Sequence, residues 1–329
     1  MRHVLLLSRK DLEKILPMRD VIEAVEQAFR ELYYKKAKVP LRTIIEIEKH
    51  NGFLLYMPSY LEDSNALAIK VVSLYPENPK KGLPSVLASV LVNDPKTGEP
   101  LALMEGTYIT AMRTGAASGV ATKYLARKDA KIVGIIGAGV QARTQLWAVS
   151  EVRDIEKALV YDVNKERAKV FAEEMAKKIG VEINVSLTAQ EVAENADVLV
   201  VATTAKEPVI KGEWVKEGTH INSIGWVGKD ARELDSETVR KSKLVVDSRE
   251  GVLNESGDIL IPIKEGVVDE THIYAELNEI VTGIKKGREN DNEITLFKSV
   301  GLAIEDAITA KLAYETALEL RIGTKVELQ

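Results

Sequence analysis

The 329-residue chain contains no cysteine. That one absence excludes disulfide scaffolds, thiolate nucleophiles and cysteine-ligated zinc, and it makes an intracellular, cytoplasmic setting the default expectation. Histidine is nearly as scarce. His3, His50, His220 and His272 are scattered, with none of the His-x-x-x-His or His–carboxylate spacings that build a metal site, so no metal is expected. No Gly-x-Ser-x-Gly elbow occurs, which leaves a hydrolase triad without support. No segment approaches the roughly 20 apolar residues of a membrane span. The apolar run from Val4 to Leu7 is too short for a signal-peptide core before the chain meets Arg9-Lys10-Asp11. An excess of positive charge is lacking too: 45 Lys and Arg stand against 50 Asp and Glu, a net charge of −5. That is the wrong sign for a general phosphate-backbone binder, so neither nucleic acid nor membrane is an expected partner.

What is present is the composition of a folded globular protein, with 45% hydrophobic and 29% charged residues, and the length suits two domains. Ile22, Val25, Ala28, Phe29 and Leu32 recur at helical spacing and predict an amphipathic helix over 19–36. From Leu41 to Leu103 short alternating or apolar runs at 43–47, 52–57, 66–74, 85–92 and 100–104 predict a mixed or antiparallel sheet, with a tight connection at Asp94-Pro95-Lys96-Thr97-Gly98. Residues 108–126 are rich in small side chains and read as a helix. From Lys131 onward apolar strands alternate with charged helical stretches, the signal of βαβ units. Six strands are expected, at 132–136, 158–161, 182–186, 197–202, 219–224 and 244–247, which suits a doubly wound parallel sheet of the Rossmann type. Residues 302–320 read as a further helix, through Leu302, Ala303, Ala307, Ala310, Tyr314 and Ala317.

The chemistry concentrates where the first of those strands ends. Ile132–Ile136 runs into Gly137-Ala138-Gly139-Val140-Gln141-Ala142, a Gly-x-Gly-x-x-Ala turn opening a helix. Gly137 permits the tight turn, Gly139 lets backbone N–H groups of Val140 and Gln141 approach a pyrophosphate, and Ala142 lets helix and strand pack closely. A lone glycine triplet would be an ordinary turn, but here strand, helix and a second strand ending at Tyr161-Asp162 fall in place around it. An acidic side chain at Asp162 can accept hydrogen bonds from ribose hydroxyls and would repel a 2′-phosphate. NAD(H) is therefore preferred; NADP(H) stays admissible because Lys165 and Arg167 are near, and Asp162 could equally cap the following helix. Thr203, Ser223 and Gly225 end parallel strands on the side where open α/β sheets bind ligands, although Ser and Thr at such places are also common helix caps.

Around this centre lie Pro40-Leu41-Arg42, Met57-Pro58, Ala68-Ile69-Lys70-Val71-Val72, Thr110-Ala111-Met112-Arg113-Thr114-Gly115-Ala116-Ala117, Gly218-Thr219-His220-Ile221-Asn222, Arg232-Glu233-Leu234-Asp235 and Phe297-Lys298-Ser299-Val300-Gly301. Together, in this order and over nearly the whole chain, they resemble the ornithine cyclodeaminase/mu-crystallin family. The resemblance implies a Rossmann-type domain over 114–301 inserted into a second α+β domain, 1–113 plus 302–329, that binds substrate and forms a homodimer. It implies that Arg42 grips a substrate carboxylate and that Lys70 orients the substrate and moves a proton, with Arg113 against the cofactor phosphates and Ser299 near the nicotinamide. The residue types agree: a guanidinium fork matches a carboxylate, and a lysine's pKa falls on burial or beside another cation. Read alone, Arg42 is equally a solvated arginine after a turn, Lys70 a strand lysine whose stem covers apolar surface, and Arg113 a salt-bridge partner.

The expected reaction is hydride transfer between a nicotinamide and the α-carbon of a small α-imino or α-amino acid, of the Δ1-pyrroline-2-carboxylate reductase or alanine dehydrogenase type. Two departures disfavour the cyclodeaminase branch, which turns L-ornithine into L-proline and ammonia. Val227 stands where that branch has an acid/base Asp, with Asp230 three residues on, and Leu55 stands where it has a Glu. Ornithine cyclodeaminase is the alternative reading, and a non-catalytic NAD(P)H- and small-ligand-binding protein of mu-crystallin type is a further one.

Overall fold

The computed structural model describes residues 3–225 and 228–327. Contacts divide the chain into two compact units, Met1–Arg113 with Leu302–Gln329, and Thr114–Gly301.

In the first unit, Ser8 starts the helix Arg9–Ile15 by a reciprocal cap, its hydroxyl accepting from the Asp11 amide while the Asp11 carboxylate takes the Ser8 amide. The helix Met18–Tyr33 buries Val21, Ile22, Val25, Ala28 and Phe29. It stops three residues short of the expected end because Lys35 turns left-handed, at φ 58°, and feeds the short strand Ala37–Lys38. Strands Thr43–Ile47, Gly52–Leu61, Ala66–Leu74, Val86–Asn93 and Pro100–Glu105 follow as antiparallel neighbours. Two further strands not anticipated, besides Ala37–Lys38, complete the sheet: His3–Leu7 lies parallel to Pro100–Glu105 and carries Thr324–Glu327 on its other edge. The turn after Asn93 forms as its residues dictate, with Gly98 at φ 76° and the Asp94 carboxylate accepting from the Lys96 amide and the Thr97 hydroxyl.

Register sets the two faces of this sheet. Met57, Lys70, Val90 and Met104 pair in one row across four strands and are all buried, on the face that packs against Met18–Tyr33 and the helix Ala303–Leu320. The neighbouring row, Leu6, Leu103, Leu91, Ile69, points the other way. On that face Leu6, Ile45, Leu87 and Leu103 are exposed.

The second unit is built on eight strands, every neighbouring pair parallel, in the order Glu182–Val185, Lys157–Tyr161, Ile132–Ile136, Val198–Val201, His220–Ser223, Ile294–Lys298, Ser242–Val246, Ile273–Glu276. Two more strands are present than the six expected. Ile294–Lys298 is hard to read as a central strand because it buries Thr295 and Lys298, which is tolerable only because both are hydrogen-bonded; Ile273–Glu276 is a four-residue edge. Separate apolar clusters cover the two sides of the sheet, one around Phe171, Leu146 and Val160, the other around Leu199, Leu244 and Leu296. Strand order reverses between Ile132–Ile136 and Val198–Val201, and at such a switch point the carboxyl ends of the strands open a crevice.

Among the described residues no helix is long and apolar enough to cross a membrane, and no group of three or more His, Asp or Glu could hold a metal ion. His220 is buried, with its ring nitrogens against Thr295 Oγ1 and Asn222 Oδ1.

Candidate functional site

The glycine turn sits at that crevice. Gly137 has φ 91°, and a Cβ there would fall 2.4 Å from the Ala202 carbonyl oxygen, so only glycine fits. Gly139 is the N-cap of the helix Val140–Val152, which has no side-chain cap; a Cβ on it would enter open space. Val140 is exposed and Gln141 half-buried. Arg143 holds the turn from within the helix by donating to the Ala138 and Gly139 carbonyls. Asp162, 8% exposed, accepts from the Ala138 amide with one oxygen and the Asn164 amide with the other, both at 2.8 Å, and Arg167 lies 3.8 Å from it. A cavity of about 350 Å³ opens here, lined by Gly137, Gly139, Asp162, Val163, Arg167 and Thr203 among others. An uncapped helix amino end, open space at Gly139 and an adjoining cavity with a carboxylate fit the pyrophosphate and adenosine of a dinucleotide.

Three of the expected ligands are hydrogen-bonded within the protein. Thr203 lines the cavity, but its amide and hydroxyl both donate to Glu233 Oε1 at 2.6 Å. The Ser223 hydroxyl accepts from Lys298 at 3.3 Å, and the Ser299 hydroxyl donates to Asp247 at 2.8 Å. Each serves a buried charge that must be partnered. The Lys298 ammonium also donates to Asp258 at 2.7 Å and to the Gly225 carbonyl at 2.8 Å. Asp247 accepts from the amides of Ser248, Val300 and Gly301, yet burial pushes its pKa up. Burial also raises that of Glu233, against the pull of Lys298. Glu233, Asp247, Asp258 and Lys298 were not anticipated as a network, although Glu233 lies in Arg232-Glu233-Leu234-Asp235 and Lys298 in Phe297-Lys298-Ser299-Val300-Gly301.

The first unit holds the other cluster. Lys70, 2% exposed, donates to Asp306 at 2.8 Å. Arg113, 6% exposed, donates through Nε to Asp306 at 3.0 Å and through Nη1 to Glu305 at 2.8 Å. The structure thus puts Arg113 beside Lys70, its guanidinium engaged by two carboxylates. Burial and the Arg113 charge, opposed by Asp306, bring the Lys70 pKa down to about 8. Burial works against the charge of Arg113, but Asp306 and Glu305 outweigh it and raise its pKa. Arg42 is half-buried in the loop before Thr43–Ile47. Thr43, the residue after it, pairs with Tyr56, the neighbour of Met57, which is the cross-strand partner of Lys70.

Glu305 and Asp306 were not anticipated. The signal was there: Asp306 falls on the apolar stripe Ala303, Ala307, Ala310 of the last helix, where a carboxylate needs a buried cation. Leu55 is buried two residues before Met57 on the same strand face, so that position offers no base. Asp230 is exposed in a turn. Val227 and Trp226 lie outside the described residues.

A doubly wound parallel sheet with a dinucleotide turn, and a buried lysine–arginine–carboxylate cluster in the same chain, define an NAD(H)-dependent oxidoreductase. Comparison with known proteins gives the particular group: residues 2–321 match the model of the ornithine cyclodeaminase/mu-crystallin family, and the chain belongs to that family. It is 43% identical to the alanine dehydrogenase of Archaeoglobus fulgidus over 323 residues, 98% of each chain. It is 42% identical to a Δ1-pyrroline-2-carboxylate reductase of Bacillus cereus, over 98% of this chain and all of the other. The solved Δ1-pyrroline-2-carboxylate reductase of Thermococcus litoralis, in complex with NADH and L-proline, is 79% identical, with a TM-score of 0.96 over 98% of this chain and 100% of that one.

Proposed function

We propose that this protein reduces Δ1-pyrroline-2-carboxylate to L-proline with NADH. The observation that carries the choice of substrate is the 79% identity, over 98% of the chain, to a reductase solved with NADH and L-proline. The geometry supports the chemistry. Bound NADH supplies a hydride from its nicotinamide. Lys70, its pKa brought down to about 8, is mostly protonated at neutral pH and still a competent acid, suited to protonating the ring nitrogen. Arg42 holds the substrate carboxylate. The C=N π bond breaks as a C–H and an N–H bond form: the carbon receives the hydride with its electron pair, while the π pair moves to nitrogen and takes the proton from Lys70.

In this reading Gly137, Gly139, Val140, Gln141 and Asp162 hold the dinucleotide, with Arg113, Thr203, Ser223, Gly225 and Ser299 as its further binding residues. The unit 1–113 with 302–329 binds substrate and forms a cytoplasmic homodimer. The exposed apolar face bearing Leu6, Ile45, Leu87 and Leu103 supports a dimer, as does the NAD-bound archaeal alanine dehydrogenase dimer, 42% identical with a TM-score of 0.93 over all of both chains.

The test offers Δ1-pyrroline-2-carboxylate, its six-membered homologue, and pyruvate plus ammonia with NADH, and in parallel L-ornithine with catalytic NAD. The highest kcat/KM is expected for the five-membered imine. A higher value for pyruvate plus ammonia would make the enzyme an alanine dehydrogenase. Proline formed from ornithine faster than imine reduction would overturn the reading.

A further inference from the structure

The helix Ala303–Leu320 begins beside the sheet of the first unit, where the Ser59 hydroxyl donates to the Ala303 carbonyl at 2.8 Å. Its first turn carries two adjacent carboxylates, both at most 1% exposed, at the positive amino end of the helix, where negative charge is favoured. Their partners differ. Glu305 takes the Leu302 amide on one oxygen and the Arg113 Nη1 on the other, which makes it a cap and an arginine anchor. Asp306 instead accepts from two cations, the Lys70 ammonium at 2.8 Å and the Arg113 Nε at 3.0 Å.

We propose that Asp306 is a positioning residue of the substrate site, a clamp that holds the Lys70 ammonium and the Arg113 guanidinium in one arrangement and keeps Lys70 protonated for transfer. The inference rests on the imino acid reductase reading for its consequence in catalysis, but not for the clamp itself. On its own sheet Lys70 is flanked by Met57 and Val90, which offer no polar side chain. From the helix Gly106–Leu125 it faces the like charge of Arg113, and from Ala303–Leu320 it faces Asp306 with Glu305 behind. Without Asp306, burial and Arg113 both drive Lys70 toward the neutral amine, which cannot give a proton. Removing Glu305 leaves the Lys70–Asp306 contact in place.

The experiment titrates Lys70 directly, by NMR of protein carrying 13C-labelled lysine with the Lys70 signal assigned from Lys70→Arg, in the absence of any ligand. Wild type is expected to titrate near pH 8. Asp306→Asn should lower that midpoint by about one unit or more, Glu305→Gln by less than half as much, and the alkaline limb of the kcat/KM profile for imine reduction should move with it. A Lys70 midpoint unmoved in Asp306→Asn overturns the inference whatever the activity. A protein that shows the coupling but reduces no imino acid refutes the functional reading and leaves the clamp supported. Should Asp306→Asn not fold, Asp306→Glu carries the test. It keeps the charge and displaces it by one methylene, so the midpoint should hold while kcat falls by roughly tenfold or more. Wild-type kcat and KM in Asp306→Glu would overturn the inference.

Discussion

A Cβ placed on Gly225 would fall 2.0 Å from Oε2 of Glu233. The carboxylate has little room to retreat, because its other oxygen is held by the amide and hydroxyl of Thr203. Gly225→Ala should therefore destabilise the fold by about 1–3 kcal/mol through overpacking. Glu233→Ala should relieve part of that, so the double variant is expected to be more stable than the sum of the two single effects, a coupling that denaturant unfolding of all four proteins measures.

Lys70 gives the stability a pH signature. Its folded pKa of about 8 lies below the ordinary 10.5, so between those values the unfolded chain binds more protons than the folded one. Stability then rises with pH across the window, by up to about 3 kcal/mol relative to a variant lacking the group. Unfolding of wild type and Lys70→Met between pH 7.5 and 10.5 should show this slope in wild type alone. The same variant should lose about a hundredfold or more in imine reduction; turnover near wild type would remove the proton-transfer role.

His220 acts at the other end of the scale. Burial, with Arg288 and Arg153 nearby, pushes its pKa down to about 3 from the usual 6.5. The unfolded state takes up the proton first, so stability falls as pH drops from 6.5 toward 3. In His220→Asn this part of the acid dependence should disappear, which thermal unfolding at pH 4 and pH 7 checks.

Asp162 joins cofactor choice to the shape of the turn. Asp162→Ala removes the carboxylate that faces a 2′-phosphate and leaves Arg167 in the cavity wall, so the NADPH-to-NADH ratio of kcat/KM should rise by about tenfold or more. It also leaves the Ala138 amide without its acceptor, at about 1–2 kcal/mol of stability. An unchanged ratio would count against the ribose role.

What could be read in the sequence was whatever is decided locally. The turn at Gly137 is set by residues within one strand and one helix, and the five strands between 43 and 105 announce themselves by alternation within each run. The last-helix carboxylates could not be read that way. Asp306 meets Lys70 across 236 residues and Arg113 across 193, and no pattern in either segment names the other. Thr203, Ser223 and Ser299 show the same limit: a hydroxyl at a strand end announces a donor, while the buried carboxylate or ammonium that claims it comes from another part of the chain. Thr324–Glu327 has one apolar residue in four, so only its pairing with His3–Leu7 makes it a strand.

That last pairing orders events during synthesis. Residues 3–7 leave the ribosome before the unit 114–301 is made, yet the strand on their outer edge and the helix carrying Asp306 are made after residue 301. The unit 114–301 has all its residues available before then, whereas the unit bearing Lys70 waits with residues 1–113 for the segment that follows residue 301. Domains generally fold as units during translation, so the inserted unit can fold ahead of the one that encloses it in sequence. A nascent or truncated chain ending before Ala303 carries the dinucleotide turn and Lys70 but not the carboxylate that holds the lysine's charge.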